Sequence, residues 1–413
     1  MPPWPSLFIT ATAALIVSSA GSALAAGVGG PPTFAQPVAY GQEVTGAQYV
    51  VVGDMLHRGI DDLIVTHAND SFGHVSLLLG TGQGTFGPPA QVFTGSINDE
   101  VLKAVVADVN LDAKLDLVMQ TMDSVGNTFI TVALGDGKGH FTQASQTPVF
   151  AGPFVVGTFA PDRFPDVFVQ AAFALPAMVL RSNGKGGFTT VQLGYGGGAG
   201  GLVAADVNHD GRLDLIGIGQ SPKRFFVEQL QTLFGTGGSR LFASPVYTPP
   251  SLLESEGTGF NSGITATAGD LRGNGAADLV VFGSDFQWGL SVAGTVYLGN
   301  PDGTFDPPLL LPILAVRAFG TSAAIADLNG DGIADIAMTT ADAGLPMETY
   351  LLRGVGDGTF PVGLQTLLPL KPLIPNLVVA DLNGDGRPDL VVSDQTSNFG
   401  VWVLLNTTSQ GRR

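Results

Sequence analysis

Residues 378–394 read VVADLNGDGRPDLVVSD. Asp381, Asn383, Asp385 and Asp389 fall at positions 1, 3, 5 and 9 of one short loop, with Gly386 at position 6. Side-chain oxygens at that spacing, with the backbone carbonyl of Arg387 at position 7, can surround one hard cation. Calcium suits the set, because it takes about 6 to 8 oxygen ligands and tolerates irregular geometry. Glycine at position 6 permits the sharp turn that makes the donors converge. Without a cation such a loop is strained: two carboxylates about 4 Å apart repel by roughly 4 kcal/mol at an effective dielectric near 20.

Asp, Asn and Gly are also ordinary turn formers, so recurrence decides between the readings. The pattern returns as Asp206, Asn208, Asp210, Arg212 (carbonyl) and Asp214. It returns again as Asp327, Asn329, Asp331, Ile333 (carbonyl) and Asp335. A fourth copy has Asp108, Asn110, Asp112, Lys114 (carbonyl) and Asp116, with Ala113 where glycine is expected. An EF-hand would need a bidentate Glu at position 12; these copies hold Val392, Gly217, Met338 and Met119 there. Three weaker copies start at Asp54, Thr158 and Asp270. Arg272 puts positive charge at position 3 of the Asp270 loop, while Asn274 and Asp278 remain. The Asp54 loop has Leu56 and Arg58 at ligand positions, and the Thr158 loop keeps only its last acid, Asp166. Neither is expected to bind an ion. The reading gives three to four calcium ions; four would bring the formal charge from -17 to -9.

A second signature lies between the acidic loops. Glycine-rich turns end at Phe34, Phe86, Phe141, Phe188, Phe242, Phe305 and Phe360, spaced 47 to 63 residues apart. The chain is thus seven units, each with four short Val- and Leu-rich runs separated by Gly, Pro and Asn. Such runs read as strands. Four strands per unit in radial repetition predict an all-β, seven-bladed propeller; a linear solenoid is the alternative. The last unit ends at VWVLLNTTSQGRR without a Gly-Phe turn and following strand, and the chain begins with those parts, Phe34 and QPVAY. The first strand is expected to complete the last blade, closing the ring and removing the exposed sheet edge.

Composition agrees. Gly is abundant at 58 of 413 residues and charged residues are sparse at 13%. The net charge of -17 argues against nucleic acid and against an anionic membrane surface. With no cysteine, disulfides and thiolate chemistry are excluded.

The paired signatures, LLLGTGQGTFGPP and DLNGDGRPDLVV, resemble the FG-GAP repeats of the integrin α-subunit propeller, and more closely the FG-GAP/VCBS-type repeats of secreted bacterial proteins. The resemblance covers about residues 34–406. It implies a seven-bladed propeller whose Asp-rich loops share one face and bind calcium through the residues named above.

Catalytic motifs are lacking: the chain has no HExxH, P-loop or G-x-S-x-G. The GGGAGG run from Gly196 lies between expected strands and reads as a turn. His67 and His74, seven apart, are weighed as a metal pair against surface polar residues. Trp288 and Trp402 are weighed as a sugar cleft against inter-blade packing. NDS from Asn69 and NTT from Asn406 are glycosylation acceptors only in a eukaryotic secretory pathway.

Residues 7–26, LFITATAALIVSSAGSALAA, read as an export signal with Ala23-Leu24-Ala25 at the cleavage site, although no Lys or Arg precedes them. The domains expected are a signal peptide, 1–26, and a propeller, 27–413, with no later membrane span. The sequence therefore points to a secreted or cell-surface, monomeric, calcium-stabilised module binding an extracellular protein or glycan. A polysaccharide lyase or hydrolase, or a lectin, on the same scaffold is the alternative. The inserted stretch SLLESEGTGFNSG, between Phe242 and Phe305, is the candidate contact surface.

Overall fold

Short runs rich in Val, Ile and Leu, broken by Gly, Asn and Pro, leave each unit able to form only a small sheet that must bury both faces. The computed structural model resolves this as seven four-stranded antiparallel sheets. It describes residues 29–41, 46–67, 74–94, 100–170, 176–193, 201–220, 228–248, 262–285, 290–311, 318–342, 345–370, 376–395 and 400–409. Blade 1 begins with strand Ala47–Gly53, blade 2 with Glu100–Ala107 and blade 3 with Phe154–Gly157. Blades 4 to 7 begin with Leu202–Ala205, Ser262–Gly269, Ala318–Ala326 and Leu377–Ala380. Within each blade the strands follow in chain order, with one exception. Blade 7 takes its outer strand from the other end of the chain: Val38–Tyr40 pairs with Val401–Leu404, Val38 opposite Val403. The first strand of blade 7 also lies against the first strand of blade 1, so the ring is closed as the sequence suggests.

Seven hydrophobic clusters hold the ring, and each lies between two adjacent blades. The second strand of each blade serves two clusters at once. In blade 2, Leu117 and Met119 face blade 1 while Val118 faces blade 3. A strand covered on both faces is buried at every position, as Asp62–His67 is, and its middle residues Leu63, Ile64 and Val65 are all apolar. The signature phenylalanines obey one rule: each packs into the interface with the preceding blade. Phe86 joins the cluster between blades 7 and 1, Phe141 that between 1 and 2, and Phe360 that between 5 and 6. Phe34, from the N-terminal segment, packs against the cluster between blades 6 and 7.

A polar residue five places before the acidic loop, within the first strand or just ahead of it, reaches the next blade's backbone. Asn376 Oδ1 accepts from Val50 N–H at 3.1 Å, and Ser322 Oγ accepts from Leu377 N–H at 2.9 Å. Gly201 occupies the same place in blade 4, where a Cβ would come 2.5 Å from Ala266 N. In blade 2 the residue is Lys103. Its ammonium donates to Phe154 O at 3.2 Å and sits 4.8 Å from the centroid of the Phe154 ring. The composition-level reading carries no hint of these contacts.

Among the described residues no helix is long and apolar enough to cross a membrane. The expected signal segment, the GGGAGG run up to Gly200, Asn69, Trp288 and residues 251–261 of the inserted stretch lie outside the described residues.

Lys103 supplies the first prediction. Burial pushes its amine down to about 7, whereas the unfolded chain holds its proton until about pH 10.4. Between those values the unfolded state binds more protons, so stability rises with pH. Lys103→Met removes that slope: denaturant unfolding should show the variant's advantage largest near pH 7 and shrinking toward pH 10. Parallel profiles would contradict it.

Candidate functional site

Each acidic loop joins the first strand of its blade to the second, so position 9 is the first residue of the second strand. That aspartate is buried in all seven blades: Asp62, Asp116, Asp166, Asp214, Asp278, Asp335 and Asp389 are each 0% exposed. A buried carboxylate must be hydrogen-bonded, and these are held in a common way. In blade 2, Asp116 Oδ2 accepts from Val109 N–H at 3.0 Å and Oδ1 from Gly135 N–H at 2.9 Å. Asp214 takes Val207 and Gly235, Asp335 takes Leu328 and Gly354, and Asp389 takes Leu382 and Asn406. One oxygen therefore ties the start of the loop and the other ties the end of the third strand. Blades 1, 2, 4, 5 and 6 place a glycine at that junction, where the loop backbone leaves no room for a side chain. A Cβ on Gly135 would lie 2.2 Å from Leu115 O, and one on Gly299 would lie 2.1 Å from Ala277 O. Blade 3 has Ser182 there and blade 7 has Asn406. Their side chains reach the preceding blade's loop instead, Ser182 Oγ to Val109 O and Asn406 Nδ2 to Leu328 O. Asn406 is only 1% exposed, so the NTT motif is closed to modification in the folded chain.

The remaining donors shape the loop itself. Asp381 Oδ1 accepts from Asp385 N–H at 3.0 Å and Oδ2 from Gly386 N–H at 2.8 Å. Asn383 Oδ1 also accepts from Asp385 N–H, and Asp385 Oδ1 accepts from Arg387 N–H. Loops starting at Asp108, Asp206 and Asp327 repeat this network. The turn needs left-handed backbone at two places. Position 6 is one, with φ of 81°, 85° and 80° at Gly211, Gly332 and Gly386. Position 4 is the other, which the sequence reading missed. There His209 and Leu111 stand at φ 58° and 59°, and in blade 2 Ala113 adds φ 66° at position 6.

The electrostatics divide the loops into two groups. In the four complete ones, burial raises the position-9 carboxyl first, and the two loop acids raise it further. Asp335 reaches about 7, and Asp116 and Asp389 about 6. Asp214 moves the same way for the same reasons. Among the described residues no cationic side chain pairs with position 9 in these loops. Lys114 and Arg212 turn instead to position 5, reaching Asp112 at 3.2 Å and Asp210 at 2.9 Å, and Arg387 pairs with Asp385. Those partners are well exposed, so such pairs are weak. In the Asp327 loop Ile333 carries no charge, and Asp331 Oδ2 instead takes Gly29 N–H at 2.7 Å and Asn329 Nδ2 at 2.9 Å.

The donor chemistry of the four complete loops fits a hard cation: three carboxylates, an amide oxygen and a loop carbonyl, with no cation of the described residues on the buried carboxylate and, in three of them, one on the exposed acid of position 5. The side chains spend their oxygens on loop amides here, and among the described residues no three acids or histidines are grouped closely enough to grip an ion. Elsewhere, His67 stands in register opposite His74 across a hairpin, and His67 is buried. Trp402 packs at the blade 6–7 interface and donates from Nε1 to Asp394 Oδ2 at 3.0 Å, as inter-blade packing requires.

Seven blades with this Asp-loop and Gly-Phe architecture find counterparts among known proteins. A family model described as an FG-GAP-like repeat matches residues 54–119, 159–217 and 270–338, and one described as an FG-GAP repeat matches 319–359 and 375–404. The chain belongs to the FG-GAP repeat family. Human phosphatidylinositol-glycan-specific phospholipase D is 29% identical over 184 residues, 40% of this FG-GAP chain and 22% of that protein. The chain thus matches about a fifth of that relative's length. In the crystal structure of BBS1N with ARL6DN, soaked with mercury, one chain has TM-score 0.50 and 11% identity, covering 92% of this chain and 99% of its own. The Aleuria aurantia lectin with alpha-methyl-L-fucoside gives TM-score 0.44 and 11% identity, covering 81% and 97%. At such identities only the propeller fold is shared.

Two substitutions check the loop energetics. A non-glycine residue in left-handed backbone costs roughly 1–2 kcal/mol, so Ala113→Gly should stabilise the protein by about 1 kcal/mol in denaturant unfolding; a loss would contradict the strained turn. Asp166 accepts from Ala160 and Ser182 N–H. Asp166→Ala leaves both amides buried and unpaired, and should cost about 3 kcal/mol; a cost under about 1 kcal/mol would show that the carboxylate is no tie.

Proposed function

We propose that this FG-GAP propeller is an exported, calcium-stabilised binding or adhesion module for an extracellular protein or glycan, with no catalysis of its own. The observation that carries the calcium half is the charge balance in the Asp108, Asp206, Asp327 and Asp381 loops. Each sets two acids and an amide around a buried carboxylate that, among the described residues, no cationic side chain pairs with. The residues that would hold the ion are the side chains at positions 1, 3, 5 and 9 and the carbonyls of Lys114, Arg212, Ile333 and Arg387. When bound, calcium supplies the missing positive charge and stiffens the turn; it does no chemistry.

The family supports a binding or adhesion-type module. Its repeats are typical of extracellular proteins, and the apolar segment 7–26 with its small-residue end supports export. The absence of cysteine leaves ion-pinned loops and ring closure as the devices that would stabilise an exported chain.

Thermal melts with calcium and with chelator test the reading. The midpoint should rise with calcium at low micromolar free concentration, and Asp381→Ala and Asp327→Ala should each lower the bound stoichiometry by about one. An unshifted midpoint would sink it.

A further inference from the structure

Two of the three loops that depart from the acidic pattern share something the four complete loops lack. In blade 1, Arg58 at position 5 sends Nη2 to Asp62 Oδ1 at 2.5 Å and to Gly80 O at 3.2 Å. In blade 5, Arg272 at position 3 sends Nη2 to Asp278 Oδ1 at 2.8 Å and also to Gly299 O. Two arginines at different loop positions thus converge on the same pair of acceptors: the buried position-9 carboxylate and the carbonyl of the signature glycine. In blade 3 the loop's own Arg163 is exposed, and Arg181 arrives from the third strand to bind Asp162, at position 5, at 2.6 Å. Three of the complete loops likewise carry a cation, at position 7, on the exposed acid of position 5 and not on the buried carboxylate.

We propose that Arg58 and Arg272 are internal cations standing where the four complete loops take a divalent ion, so that blades 1 and 5 are held without metal. The inference rests on the calcium reading of the complete loops. A guanidinium suits the role, because it stays charged at any accessible pH and offers several donors in a fixed plane. Its partner carboxylates in blades 1 and 5 are wholly buried, and removing one member of such a pair leaves an uncompensated charge. Metal dependence is then confined to blades 2, 4, 6 and 7, and two adjacent blades, 6 and 7, both need the ion.

Blade 5 gives the test, because Arg272→Asp restores a loop with acids at positions 1, 3 and 9, Asn274 at 5 and Gly275 at 6. Native mass spectrometry and calorimetric titration with calcium alone should find one more ion per chain in Arg272→Asp than in wild type. The variant should melt below wild type in chelator and recover with calcium. Arg272→Met should melt below wild type by the same margin in chelator and in calcium, since no ion can replace the lost charge, and Arg272→Lys should restore part of the loss. A wild type that binds calcium beside an Arg272→Asp variant that gains none overturns this inference alone, as does an Arg272→Met variant that melts with wild type. A wild type that binds no calcium overturns the reading of the complete loops and this one with it.

Discussion

A buried carboxylate at the head of the second strand is the constraint on which the propeller depends. Asp116 and its six counterparts bring a carboxyl group into the sheet, where a charge left without compensation costs several kcal/mol. In blade 2 the two oxygens hold Val109 and Gly135 N–H, which belong to different connections of the blade. One side chain thereby fixes both the loop between the first two strands and the turn after the third. Other local features follow from it. In five blades the junction residue is a glycine because the loop backbone passes over it, and the phenylalanine that ends the turn is aimed into the neighbouring blade.

The turns and loops also mesh around the ring. The signature turn of blade 1 donates Gly84 N–H to Leu382 O in the loop of blade 7, and Ser182 of blade 3 reaches Val109 O in the loop of blade 2. A loop therefore supports its own blade and seats the next. Charge in one loop, whether from an ion or an arginine, is felt at the interface beyond it. On the opposite side, the contacts from Asn376, Ser322 and Lys103 tie the other ends of the first strands. The blades are pinned at both ends of their interfaces, with hydrocarbon between.

Much of this was legible in the sequence because the repeat multiplies a weak local signal. A single DLNGDGRPD stretch is a turn; the same spacing in one unit after another, each followed by a Gly-Phe turn, specifies a blade. Ring closure was readable from the missing strand after Leu404 and the spare strand at Val38. Other features could not be read. The left-handed backbone at position 4 carries its glycine at Gly273, Gly330 and Gly384 but is hidden where His57, Leu111 and His209 occupy it, so no residue type marks it throughout. The polar contacts five residues upstream use Asn, Ser, Lys and Gly in turn, so no residue type recurs. Arg58 and Arg272 were seen as losses of ligands, since spacing cannot say that both guanidinium groups fold back onto the same carboxylate position. Arg181 lies outside the loop altogether, and only the sheet brings it to Asp162.

The hybrid seventh blade carries a consequence for how the chain matures. Val38–Tyr40 has its sheet partner in Val401–Leu404, which a ribosome delivers only after the six blades between them. Those blades can stack in order as they emerge, each contacting the one before, but this early strand stays single until blade 7 has emerged. Pairing across so long a separation is slow, and an unpaired strand invites wrong partners in the meantime. The nascent protein thus spends most of its assembly as an incomplete arc, with both rims open to other chains.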